Sequence, residues 1–272
     1  LQILMQLGWV VNFDKLEGPA QQLEFLGVQI DTVTCRLSLV PAKLEAILLS
    51  VEDAIARRRS LLARDLESLL GRLGWLCAVM VAGRPYLQFL WGAMPSARRH
   101  GARVHLPAQA VADLQWWQRQ LQSVLQPHGG GSEPFWAPFW NQPPHRVRIF
   151  TDASGDVGFG AVYLSEVLQG KWHRSLQHER SSSWAELVPV LFALRRLAPQ
   201  LAGHVVVITT DSTSNTFALN KGSTRRDARD AARLLRKIFE IAAEHRIYLI
   251  GDWIRRCFND VPDAISKFRK VV

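Results

Sequence analysis

The stretch Val-Val-Val-Ile-Thr-Thr-Asp at residues 205–211 decides the fold. A run of six β-branched residues is typical of a buried strand, and an acid follows directly where this strand ends. The sequence on either side alternates between strand and helix patterns. Further strands are predicted at residues 145–151, 158–165, 171–175 and 247–250, with turns at Gly155 and Gly170. Helices are predicted at residues 183–197, 212–220, 225–245 and 260–270. Three antiparallel strands followed by helix-separated strands predict an α/β domain with a mixed sheet and flanking helices over residues 146–272.

A segment at residues 126–145 separates this domain from a mostly helical part. It reads QPHGGGSEPFWAPFWNQPPH, which is rich in Gly and Pro and carries four aromatic residues. Such a sequence does not continue a helix and predicts a linker, with the aromatic residues pinning it to one of its neighbours. Residues 1–125 are predicted to form a short hairpin at 23–31 and 36–39 and then helices at 41–58, from 63 onward, at 86–94 and at 107–126.

Composition restricts the class of protein. The chain is 48% hydrophobic and 21% charged, which indicates a folded protein rather than a disordered one. Three cysteines, an odd number placed far apart, argue against a disulfide scaffold or a cysteine-rich zinc site. No apolar run is long enough for a membrane span and no signal peptide is recognised, so we expect an intracellular protein without a membrane partner.

The charge is concentrated in the second half of the chain. Residues 146–272 hold 20 Lys and Arg against 13 Asp and Glu, within a total net charge of +9. A basic half suggests a polyanionic partner, most simply nucleic acid, and the alternative is a generic basic surface.

Four acids stand at the predicted ends of these elements. Asp152 and Asp211 follow strands, Glu186 lies in the first turn of a helix, and Asp263 lies near the start of the last helix. The carboxyl ends of parallel strands and the helix starts that follow them share one edge of a sheet, so the four acids could converge there. Each acid alone also has an ordinary explanation: a turn residue, a helix-start charge or, for Glu186, a capping box formed by residues 183–186.

A cluster of four carboxylates predicts bound cations. Like charges repel and burial raises their pKa, so such a cluster is costly unless cations hold it together. Oxygen-only ligands favour Mg²⁺ or Mn²⁺, and two such ions roughly 3.5–4 Å apart could clamp a phosphate and activate a water.

The motifs around these acids resemble those of a retroelement RNase H domain. They are Thr151-Asp152-Ala153-Ser154, Trp184-Ala185-Glu186-Leu187, Thr210-Asp211-Ser212-Thr213 and the segment Asn259-Asp260-Val261-Pro262-Asp263-Ala264-Ile265-Ser266-Lys267. The segment at residues 218–225 resembles the one that such RNase H domains carry after their third acid. The loop Trp253-Ile254-Arg255-Arg256 is similar to the last loop in tyrosine-recombinase retrotransposons of the DIRS type. The resemblance implies an RNase H-like fold and cleavage of the RNA strand of an RNA–DNA hybrid. It also implies that Asp152 bridges two metal ions, Glu186 and Asp211 hold one of them, and Asp263 holds the other.

The first 125 residues resemble the end of a reverse transcriptase palm and the thumb and connection that follow it. The residues that carry this likeness are Gly8-Trp9-Val10-Val11-Asn12, Lys15, Phe25-Leu26-Gly27-Val28, Pro41-Ala42-Lys43, residues 68–73 and Gly83-Arg84-Pro85. The likeness implies that the chain belongs with the rest of a reverse transcriptase polyprotein. No Tyr-x-Asp-Asp or similar polymerase pair occurs, so this chain alone is not expected to polymerise DNA.

Nucleic-acid contacts are predicted near the acids and along the basic helices. The candidates are Ser154, Asn215, Lys221, Arg225, Arg226, Arg256 and Asn259, with Arg229, Arg233, Arg236 and Lys237 extending a possible phosphate track. The alternative for that track is an ordinary solvated helix face. Many RNase H domains carry a histidine in the loop before the fourth acid, and residues 252–258 contain none.

Two other functions remain open from the sequence. The chain could be a retroelement remnant that serves as a structural or RNA-binding subunit of a ribonucleoprotein particle, with structured RNA as its partner and no cleavage. A Holliday-junction or integrase-like nuclease would use a similar set of acids, although the segment at residues 259–267 favours RNase H.

Overall fold

The structure is a computed structural model that describes residues 2–33, 36–94, 101–125, 145–173, 181–225 and 228–269. The predicted linker lies outside the described residues except for His145. The described residues contain two hydrophobic cores, one built from residues between 39 and 121 and the other from residues between 149 and 247. The division at residues 126–145 stays a prediction, and the two cores lie on either side of it.

The first part is mostly helical, as predicted. Its helices are α1 (Gln2–Gln6), α2 (Pro41–Ala56), α3 (Ala63–Leu76), α4 (Gln88–Ala93) and α5 (Ala108–Leu125), with 3₁₀ turns at Phe13–Lys15 and Val81–Leu87. Its strands are β1 (Gln22–Phe25), β2 (Val28–Asp31) and β3 (Arg36–Leu39), which form an antiparallel sheet, and the short pair β4 (Leu61–Leu62) and β5 (Arg103–Val104). Helix α3 buries Leu66, Leu69, Leu70 and Leu73 at helical spacing, so these leucines are part of the first core.

The second part contains the predicted mixed sheet with flanking helices. Its strands are β6 (Arg146–Ala153), β7 (Gly158–Tyr163), β8 (Glu166–Lys171), β9 (Val205–Thr210) and β10 (Tyr248–Trp253). Its helices are α6 (Ser182–Leu197), α7 (Thr213–Lys221), α8 (Arg229–Glu244) and α9 (Asp260–Ser266). The strand order is β10-β9-β6-β7-β8, with β6, β9 and β10 parallel and the hairpins β6-β7 and β7-β8 antiparallel.

The position of the third strand differs from the prediction. Strand β8 runs from Glu166 to Lys171, whereas the sequence predicted a strand at residues 171–175 after a turn at Gly170. Gly170 lies within β8 opposite Phe159, and a Cβ on it would lie 2.5 Å from the Phe159 ring. This glycine therefore provides space for an aromatic ring. The turn lies instead near Leu164, which adopts a left-handed φ of 52°.

The topology brings specific chain ends to one edge of the sheet. Because β6 and β9 are parallel neighbours, Asp152 near the end of β6 and Asp211 just after β9 lie on the same edge. Helix α6 packs over β6 and β7, and helix α9 packs on the same two strands, so both helices contribute residues to that edge. None of the described helices is long and apolar enough to cross a membrane.

The two parts contact each other through the Val81–Leu87 turn, α4, α5 and α8. The Tyr86 hydroxyl donates a hydrogen bond to Glu240, and the amide of Gln88 both donates to and accepts from Thr224. At the centre, Arg236 on α8 forms an ion pair of 2.5 Å with Asp113 on α5, whose side chain is fully buried. Arg236 was one of the candidates for a phosphate track, and its side chain, only 17% exposed, is paired with Asp113.

Candidate active site

Three carboxylates from three separate elements meet at the edge of the mixed sheet. Asp152 comes from β6, Glu186 from α6 and Asp211 from the residue after β9, and one oxygen of each lies within 4.8 Å of the others. The parallel pairing of β6 with β9 fixes the positions of Asp152 and Asp211 relative to each other along the two strands. Of the four acids that the sequence placed at this edge, these three approach one another within that distance.

Burial and mutual repulsion raise the pKa values of two members of this carboxylate cluster. Asp152 is 4% exposed, and burial raises its pKa, with further increases from the charges of Asp211 and Asp263. Burial, followed by the charges of Asp152 and Asp211, raises the pKa of Glu186 to about 8. The Oε2 atom of Glu186 is buried and makes no hydrogen bond within the described part of the chain. The cluster thus holds negative charge that the protein itself does not fully compensate.

Glu186 is not a capping residue. Helix α6 begins at Ser182, and its N-cap is Ser181, whose side chain accepts a hydrogen bond from the Trp184 N–H. The capping box at residues 183–186, the alternative explanation for Glu186, is therefore not formed. Pro189 lies inside α6 without ending it, and the carboxylate of Glu186 accepts from the backbone of Ala153 at the edge of the sheet.

Asp263 lies beside the carboxylate cluster and is held by two cations. The Lys267 Nζ donates to both of its oxygens at 2.6 Å, and the Arg256 Nη2 donates to Oδ1 at 3.1 Å. Burial alone would raise the pKa of Asp263, but these hydrogen bonds lower it below its usual range. Its negative charge still reaches Asp152. Asp263 is therefore at the predicted edge, although it is not one of the three acids that approach within 4.8 Å.

Ser266 and Trp253 donate hydrogen bonds to the acids or to their backbone, and the sequence did not identify these roles. The Ser266 hydroxyl lies 2.6 Å from Asp152 Oδ2 and 2.9 Å from the Asp263 carbonyl, so its single proton has two acceptors. The Trp253 indole N–H donates to the Asp211 carbonyl at 3.0 Å. Ser266 follows Asp263 by three residues on the same helix, and this spacing is the signal that could have identified it.

The predicted nucleic-acid residues fall into two groups. Lys221 and Arg225 are exposed and Ser154 is partly exposed, so these three remain candidates, together with the exposed Arg256. Arg226 lies outside the described residues.

Two predicted contacts are buried. Asn259 is fully buried and its amide donates to the Thr151 carbonyl at 3.0 Å, which joins α9 to β6 below the surface. Asn215 is 1% exposed. Because the surface covers both amides, the structure does not place Asn215 or Asn259 where a nucleic acid could touch them, contrary to the prediction.

The carboxylate cluster has the chemistry of a site for a hard metal ion. It offers only oxygen ligands, from three separate elements, and one buried oxygen lacks a hydrogen-bond partner in the described part of the chain. Such a set suits Mg²⁺ or Mn²⁺ rather than zinc or copper. Asp152, Glu186 and Asp211 could therefore hold a metal ion.

No protein-family model matches the sequence, and no curated protein matches it. Among solved structures, RNase H1 from the archaeon Halobacterium salinarum NRC-1 is 17% identical, with a TM-score of 0.36 over 44% of this chain and 94% of that one. LC11-RNase H1, isolated from compost by a metagenomic approach and solved with an RNA/DNA hybrid, is 20% identical, with a TM-score of 0.39 over 45% and 95%.

Some matched structures extend over nearly the whole chain. The foamy viral protease-reverse transcriptase, solved with double-stranded DNA, is 13% identical with a TM-score of 0.35. The match covers 92% of this chain and 41% of the viral one.

The fold and the site together define a class. The second part of the chain is an α/β domain, with a five-stranded mixed sheet and helices on its flanks. Its distinguishing feature is a cluster of three carboxylates, able to hold a metal ion, at the edge where β6 and β9 end.

Proposed function

We propose that this chain is a ribonuclease H that cleaves the RNA strand of RNA–DNA hybrids with two divalent ions, Mg²⁺ or Mn²⁺. The observation that carries this proposal is the approach of Asp152, Glu186 and Asp211 within 4.8 Å of one another on an RNase H-like sheet. A structural protein gains nothing from three clustered carboxylates when burial, and then the charges of Asp152 and Asp211, raise the pKa of Glu186 to about 8.

Each acid has a role in this proposal. Asp152, the most buried of the four, would be a ligand of both ions. Glu186 and Asp211 would be further ligands of one ion, and Asp263 would be a ligand of the other. Bound divalent ions would supply charge stabilisation at the scissile phosphate and a water of lowered pKa. Ser266 orients Asp152 through its hydroxyl, and Asn259 ties α9 to β6 so that Asp263 stays beside the cluster.

Nucleic acid is the proposed partner. The second half of the chain is basic, and the exposed Lys221 and Arg225 are available to contact phosphates. Ser154, two residues after Asp152, is the candidate for a contact to the 2′-hydroxyl, which distinguishes RNA from DNA.

We further propose that the chain is the C-terminal part of a retroelement reverse transcriptase, of the DIRS type. The motifs around the four acids and in residues 8–85 support this context. The two parts of the chain also share a buried contact, which suits consecutive parts of one polyprotein.

The test is incubation with an end-labelled RNA–DNA hybrid, with Mg²⁺ or with EDTA. We expect cuts in the RNA strand only with Mg²⁺, and no cuts in double-stranded DNA of the same sequence. Asp152→Asn should lower the rate at least about a hundredfold, because it removes a bridging charge at the reacting phosphate. Asp156→Asn, which removes an exposed carboxylate four residues away, should leave the rate within about twofold.

The same assay separates this proposal from a role as a ribonucleoprotein subunit. Tight binding to structured RNA without any metal-dependent product would favour the non-catalytic role. Equal cleavage by the wild type and Asp152→Asn would show that another site cuts the strand.

A further inference from the structure

Arg256 is a cation placed between the carboxylate cluster and Asp263. Its Nη2 donates to Asp263 Oδ1 at 3.1 Å, and its Nε lies 4.0 Å from Asp211 Oδ2. The guanidinium therefore spans an acid of the cluster and the fourth acid, on the side that faces solvent.

The two cations that hold Asp263 differ in their freedom to move. Lys267 lies four residues after Asp263, at the end of α9, and its side chain is 24% exposed. Arg256 lies in the short 3₁₀ turn Arg256–Phe258 between β10 and α9, and its side chain is 72% exposed. Lys267 is therefore a fixed partner of Asp263, whereas the Arg256 side chain can swing into solvent without uncovering a buried surface.

We infer that Arg256 is a displaceable internal counter-charge that competes with a divalent ion for Asp211 and Asp263. This inference rests on the proposed function, because it concerns ion binding at the same acids. A guanidinium and a divalent cation repel each other, and both bind the same carboxylate oxygens. The ion that binds at Asp263 must therefore displace the guanidinium, and its binding is weaker by the free energy of the contact that is lost.

This competition makes the two proposed ions bind at different concentrations of the divalent metal. The ion held by Asp152, Glu186 and Asp211 can use the buried Oε2 atom of Glu186 as a ligand. In the described structure Arg256 makes no hydrogen bond to this oxygen, so the ion need not displace Arg256 to reach it. The ion that Asp263 binds instead needs a divalent-ion concentration high enough to displace Arg256 from that carboxylate. The two ions are therefore expected to bind in sequence, the one in the cluster first.

The experiment is a calorimetric titration of the full chain, stripped with EDTA and dialysed, with Mn²⁺ alone. It compares the wild type, Arg256→Gln and the matched control Arg255→Gln. The control removes the same charge from the adjacent exposed residue, and in the described part of the chain Arg255 forms no ion pair with Asp211 or Asp263.

We expect Arg256→Gln to tighten Mn²⁺ binding at the weaker site roughly three- to tenfold at low salt, because it removes an exposed positive charge that opposes the ion. Arg255→Gln should change it less than about twofold, and added monovalent salt should reduce the difference between the two variants.

Each of the following results would overturn the inference. Equal changes in the two variants would mean that only the general positive charge near the site matters. Weaker Mn²⁺ binding in Arg256→Gln would mean that Arg256 orients Asp263 for the ion instead of competing with it.

A parallel hybrid-cleavage assay separates this inference from the proposed function. Mn²⁺ binding that is insensitive to Arg256, together with intact cleavage, would reject only the inference. An absence of Mn²⁺ binding in every variant would reject the metal site of the proposed function as well.

Discussion

At the scale of single residues, Glu186 makes the stability of the folded protein depend on pH. Burial and the charges of Asp152 and Asp211 raise its pKa from an ordinary 4.5 to about 8 in the folded protein. Between these two pH values the folded state binds a proton that the unfolded chain has released, so the stability must fall as the pH rises. The stabilisation from this group is complete below about pH 4.5 and is lost as the pH passes 8.

This sign predicts how the protein behaves without divalent ions. In EDTA, we expect the free energy of unfolding of the wild type to fall by on the order of 1–3 kcal/mol relative to Glu186→Gln between pH 5 and pH 8. Glutamine keeps the shape of the side chain and carries no proton to lose. Urea denaturation of both proteins across this range measures the difference. Parallel pH curves for the two proteins would contradict the account of Glu186.

The four acids could be found from the sequence because each lies near the end of a recognisable strand or the start of a recognisable helix. The partners of those acids could not, because they depend on contacts between distant parts of the chain. Asn259 illustrates the limit: its position beside the fourth acid suggested a surface contact, and its amide is instead buried against the Thr151 carbonyl, 108 residues away in sequence. Arg256 is similar, since only the folded loop places its guanidinium between Asp211 and Asp263.

At the scale of secondary-structure elements, strand β8 depends on close packing at Gly170. The Phe159 ring lies over Gly170 and is confined by Trp172 and Phe192, with ring centroids 5.2 Å and 5.3 Å away. The ring therefore has little room to move aside for a larger residue. The sequence suggested a turn at this glycine because the pattern could not indicate that an aromatic ring from the neighbouring strand needs the space.

We expect Gly170→Ala to destabilise the protein by about 1–3 kcal/mol, since the new methyl group would overlap the Phe159 ring. Gly155→Ala is the control, because nothing lies within 4 Å of a Cβ at that position. The control should change the stability by less than about 0.5 kcal/mol. Urea denaturation followed by tryptophan fluorescence measures both variants. A stability of Gly170→Ala equal to that of Gly155→Ala would show that β8 does not depend on this contact.

At the scale of the whole molecule, the two hydrophobic cores are joined through a charged contact. Arg236 lies over the rings of Tyr86 and Phe89, at 5.0 Å and 4.8 Å, and pairs with the fully buried Asp113. Burial raises the pKa of Asp113 to about 7, even though Arg236 lowers it. A buried pair of this kind stabilises the fold little in total, but the loss of one partner leaves an uncompensated charge. The sequence indicated two parts and a linker, and it gave no sign of this pair because its members are 123 residues apart.

Removal of Arg236 should therefore loosen the contact between the two parts. We expect Arg236→Met to lower the free energy of unfolding by about 3 kcal/mol, because Asp113 would be left buried without its cation. Arg233→Met on the same helix removes an arginine side chain that is 70% exposed, and should change stability by less than about 0.5 kcal/mol. The double variant Asp113→Leu, Arg236→Met should recover most of the loss. Equal stabilities of Arg236→Met and Arg233→Met would contradict the importance of the pair.

The claim on which the whole account depends is that Asp152, Glu186 and Asp211 share a divalent ion. A crystal soaked in millimolar Mn²⁺, with diffraction data collected for anomalous scattering, tests it directly. We predict an anomalous peak in direct contact with oxygens of all three carboxylates, lost in crystals of Asp152→Asn. Well-ordered carboxylates with no peak between them, or a peak that persists in Asp152→Asn, would contradict the account.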